Sequence, residues 1–312
     1  MNSGSDHSIP VRLVAIVLVP FSAGYFLSYM FRAINAVVAP NLVSDLTLDA
    51  TQLGLVTAAY LVAFAVAQLP LGLALDRYGP RRVQTVLLLA AACGSVLFSI
   101  AEDVVGLALA RGLIGFGFAG GLMASFKAIV LWFPASRHAL VNSAVMSVGG
   151  LGMLAATLPA EYAVQMIGWR NLFLVTASLT ALVAILIFFI VPERESEAKP
   201  SALRDQLRGI ARIFSDPLFW RIAPLVATTS GGHIGIHTLW AGPWFRDIAG
   251  LGRDGVAWHL LAIALAFLVG TLLGGVVADR LARRGITQLQ VMTAGLGLFV
   301  VAQVAIIAEL VS

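Results

Sequence analysis

The sequence predicts an all-α protein that crosses a membrane many times and is built from two parallel repeats. Three observations carry this. Of 312 residues, 59% are hydrophobic and only 12% charged, where soluble domains hold roughly 25% charged residues. The apolar residues fall in runs of about 20 or more, the length a helix needs to cross a hydrocarbon core of ~30 Å, and not in the alternating segments of about 10 that make outer-membrane barrels. Finally, the stretch Gly72-Leu-Ala-Leu-Asp-Arg-Tyr-Gly-Pro-Arg-Arg82 nearly recurs as Gly275-Val-Val-Ala-Asp-Arg-Leu-Ala-Arg-Arg284 at an offset of 203 residues. Gly72 maps onto Gly275, Asp76 onto Asp279, Arg77 onto Arg280 and Arg81 onto Arg284, and the same offset carries Pro40 onto Pro243. An ungapped register over such a distance marks an internal duplication.

In chain order, Met1 to Pro10 is polar, lacks a basic n-region and runs into an apolar segment without a clear cleavage site, so it is not read as a secretory signal. Nine spans follow, at about 13–38, 52–75, 83–101, 104–131, 139–164, 170–191, 218–244, 255–278 and 287–310. The Gly72 to Arg82 stretch is expected as a tight charged turn between the second and third. With the N-terminus in the cytoplasm, Arg12, Arg77, Arg81, Arg82, Arg137, the linker cations, Arg280, Arg283 and Arg284 fall inside, and only Arg170, Arg246 and Arg253 outside. That asymmetry sets the orientation. The +4 net charge is spread over short loops, as topology requires, and no nucleic-acid partner is read from it. A single cysteine, Cys93, excludes a disulfide framework within one chain.

Residues 192–216 form a polar linker between a six-helix bundle, 1–191, and a second bundle, 217–312. Within it Leu203, Leu207, Ile210 and Phe214 recur at helical spacing, while Arg204, Arg208 and Arg212 make an i, i+4 row. Two readings stand: a basic amphipathic helix lying on the inner membrane surface, or a solvated linker helix. The repeat arithmetic ends the second bundle after three of six helices, so the chain is expected to be a fragment lacking on the order of 80 residues, or a truncated form.

Ionisable residues inside spans are costly and are functional candidates. Tyr25, Ser28, Tyr29, Arg32 and Asn35 share one face of the first span, a stripe that lipid would not tolerate, and Arg32 lies about 12 Å below the end of that helix at Pro40. Arg111, eight residues past Asp103, lies at similar depth; it either meets a substrate or anchors backbone. Lys127 points away and is close enough to the inner surface to snorkel. Glu161 is expected near the outer interface. On the seventh span Ser230, His233, His237, Trp240 and Trp244 share a polar face. His233 and His237 at i, i+4 lack a Cys or carboxylate companion, so no metal is assigned; they are read as substrate-bonding or proton-coupling groups, with helix packing the alternative. No catalytic constellation and no cofactor site stands out, and the chain is not read as an enzyme.

Six helices, a charged linker and a second set opening on the same motif resemble the major facilitator superfamily of secondary transporters, across the whole chain. The family's G-x-x-x-D-[RK]-x-G-[RK]-[RK] loop is met by Gly72, Asp76, Arg77, Gly79 and Arg81; Pro80 takes the first basic slot and Arg82 lies just beyond. The second copy keeps Asp279, Arg280, Arg283 and Arg284 but has Ala282 in place of the later glycine. Arg111, Gly115 and Gly117 are similar to the R-x-x-x-G-x-G signature, Gly149, Gly150, Gly152 and Pro159 partly match the glycine-rich antiporter motif, and Gly168-Trp169-Arg170 is family-like. The resemblance implies two bundles rocking about a central site, with Asp76 and the loop arginines as a conformational latch; charges that only enforce topology are the alternative. Arg32 followed by Pro40, and Trp132-Phe133 before Arg137, are similar to organophosphate:phosphate antiporters. Their second arginine is absent here, since Gly235 stands opposite Arg32 in the repeat, so a carboxylate or bulkier organic anion fits at least as well as a phosphate.

The expected function is secondary active transport of a small organic anion by symport or antiport, with a coupling proton or counter-anion, from a bacterial inner membrane. The second reading is a transporter-like sensor or assembly protein without turnover. Substrate-binding candidates are Arg32, Tyr29, Asn35, Arg111, His233, His237 and Trp240; latch candidates are Gly72, Asp76, Arg77, Gly79, Arg81, Arg82, Asp279 and Arg280.

Overall fold

A computed structural model describes the backbone of residues 11–134, 137–194, 203–236, 240–282 and 284–307. Every regular element among these residues is helical. In order they are α1 (Val11–Ala33), α2 (Asn35–Leu46), α3 (Ala50–Ile100), α4 (Val104–Phe118), α5 (Gly121–Trp132), α6 (His138–Ala155), α7 (Leu158–Ile190), α8 (Leu203–Ser215), α9 (Pro217–Gly235), α10 (Ala241–Asp247), α11 (Arg253–Ala282) and α12 (Gln288–Ile307). Among the described residues six stretches are long and apolar enough to span a bilayer, and Leu140–Ala155 and Thr293–Ala305 add shorter apolar helices. They match the expected spans, with α9 and α10 covering the described parts of the seventh. The first span also runs further than expected: α2 continues to Leu46 with Pro40 inside it, and a left-handed Thr47 (φ 52) ends it.

The charged turn is where the sequence puts it and is as short as a turn can be. α3 contains two spans meeting at Gly79 (φ 76, ψ 161). α7 is built alike, its two arms meeting at Gly168 (φ 78, ψ 158). This backbone region is open essentially to glycine alone, which is why Gly-Pro-Arg and Gly-Trp-Arg stand at corners of almost identical shape. In the second copy of the loop motif the glycine is displaced, not lost. Gly285 takes the positive φ (82), and Arg284 and Ile286 donate their N–H groups to the Leu281 carbonyl at 3.0 and 3.1 Å, closing α11. Thr287 and Gln290 then cap α12 reciprocally.

α4 lies in the groove between the arms of α3, and small residues permit that approach. A Cβ on Gly115 would sit 2.2 Å from the Tyr60 carbonyl oxygen, and one on Gly117 would sit 2.4 Å from the Ala91 nitrogen. The glycines of the R-x-x-x-G-x-G signature are thus packing surfaces. A ring cluster of Phe31, Phe98, Phe118, Trp169 and Phe173 fills the bundle between them, with centroids 4.3 to 5.9 Å apart along its tighter contacts. Outward faces carry exposed apolar residues such as Val62, Val66, Val105 and Leu109, as lipid contact requires. By contacts the chain forms two compact units, Met1–Ala264 and Leu265–Ser312.

Candidate functional site

The polar stripe of the first span is inside the bundle. Tyr25, Ser28 and Asn35 are buried, and Tyr29 and Arg32 are half-buried. Neighbouring residues on this stripe have different fates.

Arg111 is 2% exposed, and both its terminal guanidinium nitrogens are bonded to the protein, while its Nε, like that of Arg32, has no hydrogen-bond partner among the described residues. One guanidinium nitrogen donates to the Phe31 carbonyl at 3.1 Å and the other to the Asn35 side-chain oxygen. Asn35 in turn donates to the Thr57 hydroxyl at 2.6 Å, and Thr57 to the Leu53 carbonyl at 3.0 Å. The guanidinium also faces the rings of Phe98 (5.3 Å) and Tyr60 (5.7 Å). Of the two readings open for Arg111, this geometry is that of the anchor: it ties α1, α2, α3 and α4 together. Asn35 is the bridge in that network and is itself 1% exposed.

Arg32 is held differently. No ion pair to it occurs among the described residues, and its shielded Nε has no hydrogen-bond partner there. Its guanidinium lies 4.9 Å from the centroids of both Tyr29 and Phe64. Phe64 stacks on Tyr60 at 6.3 Å, and Tyr29 meets Tyr25 edge-on at 5.0 Å. A cation between aromatic faces is held in place while its N–H groups remain free for a ligand. Phe64 and Tyr60 were not singled out from the sequence. The signal was present: Thr57, Tyr60, Phe64 and Gln68 lie three and four residues apart on one face of the second span.

From the later chain, Trp240 is 61% exposed. His237 and the side chains of His233 and Asp279 lie outside the described residues. Arg280 is exposed.

At the Gly79 end, Asp76 pairs with Lys127 across 2.7 Å. The third cation singled out within a span thus meets a carboxylate at the Gly79 corner. Glu193, just past α7, takes Arg82 at 2.5 Å and, more distantly, Arg81 at 4.0 Å. Gly72 is exposed, with open space around it.

The Gly168 end is closed by paired charges. Asp45 accepts the Trp169 indole N–H at 2.8 Å and lies 3.7 Å from Arg170. Glu161, at this end of its span, is buried. It accepts from Gln165 at 2.9 Å and from Arg253, and Arg253 also donates to Asn41 at 2.6 Å. Beside this cluster is a cavity of about 230 Å³ whose walls include both repeat-related prolines, Pro40 and Pro243. Ala36 and Gly242 approach closely next to it. Equivalent positions of two parallel repeats meet in this way around a shared axis.

Residues 21–311 match the family described as Major Facilitator Superfamily. The chain is 26% identical over 273 residues to a protein of Cupriavidus necator named probable sulfoacetate transporter SauU, covering 83% of this chain and 64% of that one. It is 28% identical over 231 residues to the hexuronate transporter of Escherichia coli strain K12, covering 68% and 52% respectively. It thus spans between about half and two thirds of the length of these curated relatives. Among solved structures it resembles a bacterial homolog of the human lysosomal transporter Spinster in an inward-facing, occupied conformation. That likeness has a TM-score of 0.73 at 21% identity and covers 97% of this chain and 69% of that one.

Proposed function

The chain belongs to the Major Facilitator Superfamily and is an integral, multi-pass membrane protein, and on that premise we propose that it carries a small organic anion across a membrane by alternating access. Arg32 is the anion-holding group. The observation that supports this is the contrast within one helix face: Arg32 is half-buried, cradled by Tyr29 and Phe64, and without a carboxylate among the described residues, while Asn35 on the same face is bonded to Arg111 and Thr57. An arginine so placed can hold a carboxylate or sulfonate through two parallel N–H bonds. Sulfoacetate and hexuronate, named for the two relatives, are anions of that class.

Tyr29 orients Arg32 and contributes its hydroxyl to the ligand. Arg111 and Asn35 position the site without touching the anion, and His233, His237 and Trp240 supply the wall from the second half. The bundles are 1–191 and 217–312, joined by the linker 192–216. The Gly79 end faces the cytoplasm by charge asymmetry, in a bacterial inner membrane, and α8 lies along that surface. Glu161, Arg253 and Asn41 close the outer end. Asp76, with Gly72, Arg77, Gly79, Arg81, Arg82, Asp279 and Arg280, forms the latch that is remade when the bundles rock. The driving ion is a proton or a counter-anion.

The test is solute flux by the purified full-length natural protein in proteoliposomes, with radiolabelled hexuronate and sulfoacetate and with a proton gradient or internal anion as the driving force. Saturable uptake that Arg32→Gln abolishes supports the reading. Anion binding without flux under any gradient would replace it with a sensor that binds the ligand and does not carry it.

A further inference from the structure

Where α3 turns at Gly79, a cavity of about 270 Å³ opens between that corner, the end of α5 and the residues after α7. Five cations line it, Arg77, Arg81, Arg82, Lys127 and Arg194, against two carboxylates, Asp76 and Glu193. Both carboxylates are already taken, Asp76 by Lys127 at 2.7 Å and Glu193 by Arg82 at 2.5 Å. Arg81 reaches Glu193 only at 4.0 Å, and its Nε is shielded from water without a hydrogen-bond partner among the described residues. Arg77 and Arg194 have no carboxylate partner among those residues and lie instead over the rings of Tyr78 (5.4 Å) and Trp132 (5.3 Å). The cavity therefore holds an uncompensated charge of about three, fixed in place by stacking. Its level in the membrane is marked by the same aromatic residues, since tyrosine and tryptophan gather at the headgroup boundary. Directly below it Phe188, 5.0 Å under the Arg81 guanidinium, is exposed together with Phe189 and Ile190.

We propose that this cavity binds the phosphate of an anionic phospholipid, with Arg81, Arg77 and Arg194 around the headgroup and the acyl chains lying along the exposed Phe188–Ile190 face. A phosphodiester offers the oxygens that arginine forks match, and basic pockets between spans at this depth recognise such headgroups. The apolar strip beside the arginines favours a lipid over a free phosphate, which would leave it uncovered. Arg77, Arg81 and Arg82 also belong to the latch of the transport reading, but lipid binding does not depend on that role and is tested by binding alone.

The experiment is native mass spectrometry of the full-length natural protein in mixed micelles containing phosphatidylglycerol and phosphatidylcholine of the same chain length, with and without millimolar inorganic phosphate. The expected result is retention of phosphatidylglycerol over phosphatidylcholine. Retention should fall at least about tenfold in R81Q/R194Q and be unchanged in R12Q, whose arginine lies at the start of α1. R194Q alone, an exposed position with no carboxylate partner among the described residues, serves if the double variant does not fold, and is expected to show a smaller loss in the same direction. Equal retention of the two lipids, or unchanged retention in the arginine variants, overturns the proposal. Displacement of the lipid by inorganic phosphate also overturns it, and reassigns the cavity to a free phosphate.

Discussion

Arg32 and Arg111 differ far more than their sequence context suggests. Each stands eight residues from a marker at the end of its span, and the two lie in adjacent helices of one bundle. Arg111 spends both its terminal nitrogens on the protein, on Phe31 and Asn35, and is closed off. Arg32 is left among rings with donors to spare. A charge inside a membrane protein is tolerated on either of two terms, complete internal satisfaction or access to a polar partner that comes and goes. The first kind builds the bundle and the second can do work.

That contrast can be broken most decisively at Arg111. Arg111→Gln should cost about 3 kcal/mol of stability, because it strands the Phe31 carbonyl and the Asn35 amide in a buried setting; thermal unfolding in detergent measures this. A variant that melts like the parent but no longer binds anion would exchange the roles of the two arginines. Arg32→Gln should leave the melting temperature near the parent value and weaken anion binding by about ten- to a hundredfold, the range of a lost charge-assisted bond; titration calorimetry with a hexuronate reads it directly. Phe64→Leu removes one face of the cradle and sharpens the same point, with an expected loss of about 1 kcal/mol in anion affinity and little change in melting. The smallest effect belongs to the third cation. Lys127→Gln breaks a pair that is about a quarter to a half exposed, so its cost should stay under about 1 kcal/mol and shrink further in high salt. A large loss there would mean that the Asp76 pair is part of the moving machinery.

The spans, the charged corner at Gly79 and the linker helix α8 could be read from the sequence because hydropathy, glycine and charge are local signals. The repeat was legible too, and the meeting of Pro40 and Pro243 around one cavity is its spatial counterpart. What escaped depended on rotation and on partners far along the chain. Spacing along its helix singled out Arg111, but its choice between ligand and backbone turns on Phe31 and Asn35, about eighty residues away. Phe64 read as an ordinary apolar residue until Arg32 was set against it. The partner of Glu161 was hidden because Arg253 is 92 residues further on. The second loop motif seemed to lack its glycine because the turn is made three residues later, at Gly285, and a fixed offset has no room for such a shift.

Gly115 gives the cradle a tolerance in the machinist's sense. Its Cα rests against the backbone of Tyr60, Tyr60 backs Phe64, and Phe64 backs Arg32. A methyl group added at Gly115 would press on the Tyr60 backbone carbonyl, and the displacement would be handed through three rigid parts to the guanidinium. Variation at that glycine should therefore loosen the bundle and, in whatever protein still assembles, alter selectivity among anions of different size, so a search for residues that tune this protein's preference should include positions that never meet the solute.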